Sequence, residues 1–332
     1  MRKAALFYDY PARDGEVFGQ GRRERIAGLV ELYPHVVNAR SFAEHAPQLR
    51  DVEVIFATWG MPCFAEAQMA ELPALKAVFY AAGNVKAFAE PLVQHDIVLV
   101  SGWAINATAT IQLALSQVLL TCRGYFRSVR RYAESRDLRH AKDFQRTGAQ
   151  GEVIGVIGMG WIGRGLTEQL RALGFRVVAS DPFLSFERAA ELGVEKVTLE
   201  ELFRRSYIVS NHIPDLPSTQ QVLGAALFGS MRDGATFINT GRGAQVVEAE
   251  LAQVLRDRPD LTALLDVTDP EPPARDSELW GLSNVVISPH IGGTIGDEVI
   301  RLADAIIEEF LAWDAGKPLR YQVTRDVLAT MG

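Results

Sequence analysis

The sequence predicts an α/β protein built from two doubly wound, parallel-sheet domains. Three observations carry that expectation. The chain has 332 residues, more than one hydrophobic core usually serves. Short apolar, β-branched runs alternate with helical patterns along most of it, which is how a parallel sheet covered on both faces reads. Finally, Glu152 to Asp181 sets strand, glycine turn, helix and strand in register as one βαβ unit. Composition agrees, with 23% charged and 48% hydrophobic residues, ordinary for a globular protein. A net charge of −7 argues against nucleic acid or an anionic membrane as the main partner. Cys63 and Cys122 form neither metal-ligand spacing nor a disulfide framework, and the six histidines are scattered, so no metal is expected. The opening MRKAALFYDY soon meets Asp9, against a secretory signal. No apolar stretch is expected to approach a membrane span, and a cytoplasmic location follows as the expectation.

Taken in order, Lys3 to Tyr8 reads as a first strand and Glu16 to Leu32 as a charged helix. Glu53 to Thr58, Lys76 to Tyr80 and Ile97 to Val100 read as further strands. Helical patterns lie between them around Cys63 to Glu71 and Phe88 to His95. Ligands of such sheets sit beyond the carboxyl ends of strands, which singles out Thr58-Trp59-Gly60 and Ala81-Ala82-Gly83-Asn84, although plain turns would look the same. Ser101-Gly102 reads as a hinge. Asn106 to Cys122 is a helical run too apolar for a solvated helix, hence a core or interface helix. The following basic segment, Arg123, Arg127, Arg130, Arg131, Arg136, Arg139, Lys142 and Arg146, is interrupted by Glu134, Asp137 and Asp143. It reads as a solvated face or a subunit contact.

The Glu152–Asp181 stretch has a physical reading part by part. Val153, Ile154, Val156 and Ile157 suit a strand buried on both faces. Gly158, Gly160 and Gly163 follow in G-x-G-x-x-G spacing, for a tight turn, close approach of backbone to a pyrophosphate, and close packing of helix on sheet. The helix, Ile162 to Leu173, presents N–H groups and its positive dipole end to phosphates. Gly174 ends it. A second strand, Phe175 to Ser180, delivers Asp181, eighteen residues after Gly163, to accept hydrogen bonds from adenosine ribose hydroxyls. The glycine spacing alone is weak; all parts in register point to a dinucleotide.

Further strands end on chemistry-bearing residues. Tyr207 to Asn211 leads into His212, Thr236 to Asn239 into Thr240-Gly241-Arg242, Ala263 to Val267 toward Glu271, and Val285 to Ser288 into Pro289-His290. In a doubly wound sheet those ends share the edge that holds the cofactor. An arginine offers a planar fork to a carboxylate, a histidine passes a proton near neutral pH, and a carboxylate beside the histidine orients the ring and stabilises its protonated form. With a nicotinamide, that set reduces a 2-keto acid. Singly, Arg242 could be a surface ion pair, Glu271 a loop acid and His290 a core histidine. A helix from Ile295 to Trp313 and a short tail complete the chain.

The motifs GMGWIG with Asp181-Pro182, NHIPDLPST, MRDGATFINTGRGAQVVEAEL, LLDVTDPEP and NVVISPHIGG resemble those of the D-isomer-specific 2-hydroxyacid dehydrogenase family over nearly the whole length. The resemblance places the family's catalytic arginine, glutamate and proton-donating histidine on Arg242, Glu271 and His290. It implies an NAD cofactor held by Gly158, Met159, Gly160, Trp161, Ile162, Gly163, Asp181, His212, Ile213, Pro214, Thr219, Thr240, Gly241, Arg242, Asp266, His290 and Gly292, with Asp266 meeting the nicotinamide carboxamide. Substrate would be held by Ala82, Gly83 and Asn84 through backbone N–H groups, with Arg242 and His290. It also implies a flavodoxin-like substrate domain, residues 1–102 and 292–332, a Rossmann-type NAD-binding domain, residues 103–291, a cleft between them, and a homodimer built around the long helix. The loop AAGNVK departs from the family's G-x-G-V-D pattern. Gln112 and Trp161 also stand where other residues are common, and Trp59 and Trp103 are candidates to line the cleft or fill the core.

The function this implies is NAD-dependent interconversion of a small 2-keto acid and its D-2-hydroxy acid, working as a reductase. Formate dehydrogenases carry glutamine in place of the glutamate, so Glu271 argues against that activity. Phosphite dehydrogenases keep all three residues, as do the C-terminal binding protein corepressors. A phosphite dehydrogenase and a dinucleotide-sensing binding protein are therefore the alternatives.

Overall fold

In a computed structural model, which describes residues 1–141, 148 and 150–330, the chain divides into two compact units. One comprises Met1–Ala107 with Thr294–Gly332, the other Thr108–Gly293. The divisions fall a few residues beyond the expected crossings at Gly102 and Ile291.

The first unit holds a five-stranded parallel sheet: β1 (Lys3–Phe7), β2 (Glu31–Val37), β3 (Val54–Ala57), β4 (Ala77–Tyr80) and β5 (Val98–Ser101), in the order β2-β1-β3-β4-β5. This is the flavodoxin-like order. Alternate residues divide between its faces. Phe7, Ile55, Val78 and Leu99 enter one buried cluster, and Leu6, Phe56, Phe79 and Val100 the other. The second face is covered by the helix Ile300–Asp314, whose Phe310 ring meets Phe56 edge-on at 5.1 Å. Burying a side chain of that size contributes about 1.5–3 kcal/mol. Trp59 packs against both clusters under Arg13, and Trp103 meets Tyr321 edge-on.

Two expectations are corrected here. The charged helix spans only Arg22–Leu29, because Gly15, Gly19 and Gly21 favour turns over the segment before it. Residues assigned to its end begin β2, which was missed. That strand contains Pro34, which has no N–H to donate, and it lies at the sheet edge where this is tolerated. The last helix likewise begins at Ile300, after a 3₁₀ turn over Gly296–Val299.

The second unit holds a seven-stranded parallel sheet. Its strands are β6 (Val153–Ile157), β7 (Arg176–Ser180), β8 (Glu195–Lys196), β9 (Ile208–Asn211), β10 (Thr236–Asn239), β11 (Thr262–Leu265) and β12 (Val285–Ile287). They run in the order β12-β11-β10-β9-β6-β7-β8. The chain winds outward from β6 in one direction, then returns to β9 and winds in the other, so the order reverses between β6 and β9. That is where open α/β sheets bind ligands. Ile157 pairs with Ser180 and Asn211, Asn239 with Asn211 and Leu265, and Leu265 with Ile287. The next residue of each strand therefore lies along one edge. Ile154, Val156, Ile208, Ile238 and Leu264 pack with Ala114, Val118, Leu166 and Leu170 on one face. Val209, Phe237, Ala263 and Leu265 pack with Phe203, Leu251 and Leu255 on the other.

The long apolar helix runs Trp103–Cys122. Contrary to the sequence expectation, it is long and apolar enough by length and composition to cross a membrane, with mean hydropathy 1.3. Its Ala114, Val118 and Cys122 nonetheless belong to a buried cluster of the second unit. The basic segment that follows forms the helix Tyr125–Ser135, none of whose residues is buried. Its Arg127 donates to Gly234 O and Tyr207 Oη, and its Arg130 to Pro259 O. These arginines tie the helix to the starts of strands. Lys142, Asp143 and Arg146 lie outside the described residues.

Candidate active site

The edge beyond β6 and β7 has the features a dinucleotide needs. Gly158 turns the chain out of β6 at φ +84°, and a Cβ there would press on the His212 carbonyl at 2.9 Å. A Cβ on Gly163 would lie 2.0 Å from Gly158 O, so glycine lets the helix start sit against the turn. A Cβ on Gly160 would meet nothing within 4 Å, which leaves its glycine to be explained by what approaches from outside. The helix Trp161–Ala172 begins at Gly160 with no side-chain cap, as an anion-binding N-terminus would. Trp161 is half exposed beside it, while Met159 is buried. Asp181 Oδ2 accepts the Met159 N–H at 2.6 Å and Oδ1 the Phe183 N–H at 2.7 Å. The same carboxylate thus shapes the glycine turn, and its remaining lone pairs fit ribose hydroxyls.

Beyond β9, His212 is buried, with Nε2 2.8 Å from Ser210 Oγ and Nδ1 3.2 Å from Thr240 Oγ1. Desolvation pushes its pKa down from 6.5 to about 4, so the ring is neutral and its two nitrogens serve the fold. Thr219 Oγ1 donates to Pro214 O at 2.7 Å and accepts the Leu216 N–H at 2.9 Å, closing the His212–Thr219 loop on itself. A consequence follows for acid stability. The unfolded ring takes up its proton near pH 6.5 and the folded ring only near 4, so His212 contributes stability that is present above pH 6.5 and lost as pH falls toward 4. The gap corresponds to about 3 kcal/mol. Denaturant titrations at pH 7.5 and 4.5 should show a smaller acid loss in His212→Gln than in the wild type. Equal losses would contradict this role.

Beyond β10, β11 and β12, neighbouring in the sheet, come Arg242, Asp266 with Glu271, and His290. His290 Nδ1 lies 2.6 Å from Glu271 Oε1, both side chains partly exposed. Arg242 is partly exposed and its Nη1 donates to Gly241 O at 2.7 Å. A Cβ on Gly243 would lie 1.9 Å from the Thr268 carbonyl carbon, so the arginine loop packs directly on the loop leading to Glu271. His290 has φ +52°, a left-handed conformation uncommon outside glycine. Asp266 explains how it is held. Its backbone carbonyl accepts the His290 N–H at 3.0 Å, and its buried carboxylate accepts Ser288 Oγ at 2.6 Å, Ile291 N at 2.9 Å and Gly292 N at 2.7 Å. Three internal donors make Asp266 first of all the anchor of the histidine segment.

The proposed substrate loop lies in the first unit, after β4. Ala82 is buried, Gly83 is partly exposed and Asn84 exposed. Ser101 Oγ donates to the carbonyls of Ala82 and Gly83, and Asn84 Oδ1 accepts the Lys86 N–H. Among the described residues no group of His, Cys, Asp and Glu could hold a metal ion. The polar residues Asn211, Asn239 and Gln245, all buried around Arg242, were not singled out from the sequence. The signal was there, since IVSN and TFIN are apolar strands that both close on Asn, a residue strands disfavour.

The sequence model of the D-isomer-specific 2-hydroxyacid dehydrogenase NAD-binding domain matches residues 115–292. More than half of the chain is covered, and the chain belongs to that family. It is 32% identical over 230 residues to D-3-phosphoglycerate dehydrogenase of Archaeoglobus fulgidus, a match covering 69% of this chain and 43% of that protein. It is also 32% identical over 211 residues to (S)-sulfolactate dehydrogenase of Chromohalobacter salexigens, covering 63% and 68%. The chain thus spans less than half the length of the phosphoglycerate dehydrogenase it matches. A phosphoglycerate oxidoreductase from Rhizobium etli shares the fold, with TM-score 0.83 at 22% identity over 99% of this chain and all of that one.

Proposed function

We propose that the protein is an NAD-dependent D-2-hydroxyacid dehydrogenase that works as a reductase of a small 2-keto acid. The observation that carries the proposal is the 2.6 Å pairing of His290 Nδ1 with Glu271 Oε1, at strand ends neighbouring the one that delivers Arg242. Bound NADH would supply the hydride. The Arg242 fork would hold the substrate carboxylate and polarise the carbonyl. His290 would donate the proton to the carbonyl oxygen, and Glu271 would keep the ring oriented. The test is a panel of 2-keto acids with NADH, followed by loss of cofactor absorbance. It should include glyoxylate, hydroxypyruvate and the keto acids of the phosphoglycerate and sulfolactate for which the relatives are named. Tight NADH binding with no turnover would favour a dinucleotide sensor, and reduction of NAD⁺ by phosphite in a parallel assay, with no keto acid turned over, would favour the phosphite dehydrogenase.

NAD(H) should be preferred to NADP(H) by tenfold or more in kcat/KM. A 2′-phosphate would face the Asp181 carboxylate, and no arginine follows in Pro182-Phe183-Leu184, whereas hydrogen bonds from ribose hydroxyls to a charged acceptor contribute about 1.5–3 kcal/mol. Comparable values with the two cofactors would remove Asp181 from this role. A homodimer is part of the same reading. It is supported by Leu120, Tyr125, Val129 and Tyr132, all of them 38% or more exposed along two consecutive helices; a monomer by light scattering would contradict it. The cysteines Cys63 and Cys122 are both free thiols, in keeping with a cytoplasmic location.

A further inference from the structure

Arg242 reaches the end of β10 with both of its backbone polar groups held by buried side-chain amides. Its N–H donates to Gln245 Oε1 at 3.1 Å, and its carbonyl accepts from Asn239 Nδ2 at 3.1 Å. The amides are joined to one another. Asn211 Nδ2 donates to Gln245 Oε1 at 2.6 Å and to Asn239 Oδ1 at 3.0 Å, and Asn239 Oδ1 also takes the Gly241 N–H at 3.0 Å. Gln245 Nε2 then crosses to the loop after β9, donating to Ile213 O at 2.7 Å and Pro214 O at 3.0 Å. All three side chains belong to fully buried residues. Gln245 therefore uses both acceptor sites and both donors of its amide. A buried amide left without partners costs about 1–3 kcal/mol, so such a network is favourable only when complete.

The geometry runs from one proposed ligand loop to another. Asn211 and Asn239 are register partners on β9 and β10, and Gln245 closes the set from the 3₁₀ turn Gly243–Gln245 that begins just after Arg242. The two amide contacts that reach Arg242 are both to its peptide, and the others join the amides to one another, to Gly241 and to the loop after β9. We infer that Gln245 is a positioning residue: with Asn211 and Asn239 it clamps the Arg242 peptide to the Ile213–Pro214 segment, setting the substrate arginine against the cofactor loop. The inference rests on the dehydrogenase reading, in which Arg242 holds the substrate anion. Apolar side chains at 211 and 245 would leave the Arg242 N–H and the Ile213 and Pro214 carbonyls without these partners, and the arginine peptide without a fixed register.

The test is a double-mutant cycle between Gln245→Leu and Arg242→Lys, read as kcat, KM for the keto acid and NADH affinity. In the Arg242 background, Gln245→Leu should lower kcat/KM by about 10–30-fold, since displacing a binding group by about 1 Å costs up to 10²-fold, while NADH affinity changes by less than about threefold. In the Arg242→Lys background the same substitution should cost less than about threefold, because the fork it positions is already gone. Asn211→Leu is the milder companion. It leaves Asn239 Oδ1 and Gln245 Oε1 each with another donor, and it should show a smaller loss with the same dependence on Arg242. It decides the question if Gln245→Leu fails to fold. An equal loss in both backgrounds, or a loss confined to NADH affinity, would overturn the positioning role and leave the dehydrogenase reading intact. Absence of turnover by the wild-type enzyme would overturn both.

Discussion

Replacing His290 by glutamine should lower the rate of keto-acid reduction by roughly 10²–10⁴ at every pH, the usual loss when a positioned general acid is removed. Glutamine keeps polar bulk at the end of β12 but has no proton to give at neutral pH. The backbone there is secured by Asp266 through His290 N, Ile291 N and Gly292 N, none of which needs the imidazole, so NADH affinity should stay near the wild-type value. The partner substitution gives a different signature. Glu271→Gln removes the charge that faces Nδ1 at 2.6 Å while keeping most of the shape. The His290 ring then loses the charged hydrogen-bond partner that holds its orientation. kcat should therefore fall by about tenfold or more, the scale of a misplaced catalytic group, while KM for the keto acid and NADH affinity change little. An unchanged kcat in Glu271→Gln, or near-normal rates in His290→Gln, would separate this pair from the chemistry.

Arg242→Lys should lower kcat/KM by about 10²–10³, comparable to removing one fixed donor from a developing oxyanion. A single ammonium cannot reproduce a planar, two-pronged contact to carboxylate and carbonyl. It would also forgo the Nη1 bond to Gly241 O, which helps direct the guanidinium. Both kcat and KM should suffer, since in the proposed reaction the same fork would bind the ground-state anion and stabilise charge on the carbonyl oxygen. Near-normal kinetics would move the anion site elsewhere, to the Ala82–Asn84 loop.

How far all of this is legible in sequence depends on whether the signal is local. Buried parallel strands declare themselves as apolar runs, and Thr236–Asn239 has the same ends in sequence and in structure. The glycine turn is legible because Gly158 and Gly163 answer to contacts within their own βαβ unit. Strand β2 is not, because an edge strand carrying Pro34 and His35 lacks the apolar alternation that marks half-buried strands. The helix placed over Glu16 to Leu32 was overextended because charge patterning persists through glycines that break it. In the site, residue types and strand ends are readable, whereas second partners are not. That Asp266 spends its carboxylate on Ser288, Ile291 and Gly292 depends on two strands lying side by side. Local propensity marks the strand-ending Asn211 and Asn239 as unusual, but that they join each other and Gln245 depends on β9 and β10 lying side by side.

The most direct measurement of the central claim is the stoichiometry and handedness of the product. Wild-type enzyme saturated with NADH is given a turned-over 2-keto acid, and the hydroxy acid formed is resolved by chiral chromatography against the NADH consumed. The expected result is one D-2-hydroxy acid for each NADH oxidised. NADH bound but unchanged with every keto acid, or an L-2-hydroxy acid as product, would contradict the assignment of Arg242, Glu271 and His290 to this reaction.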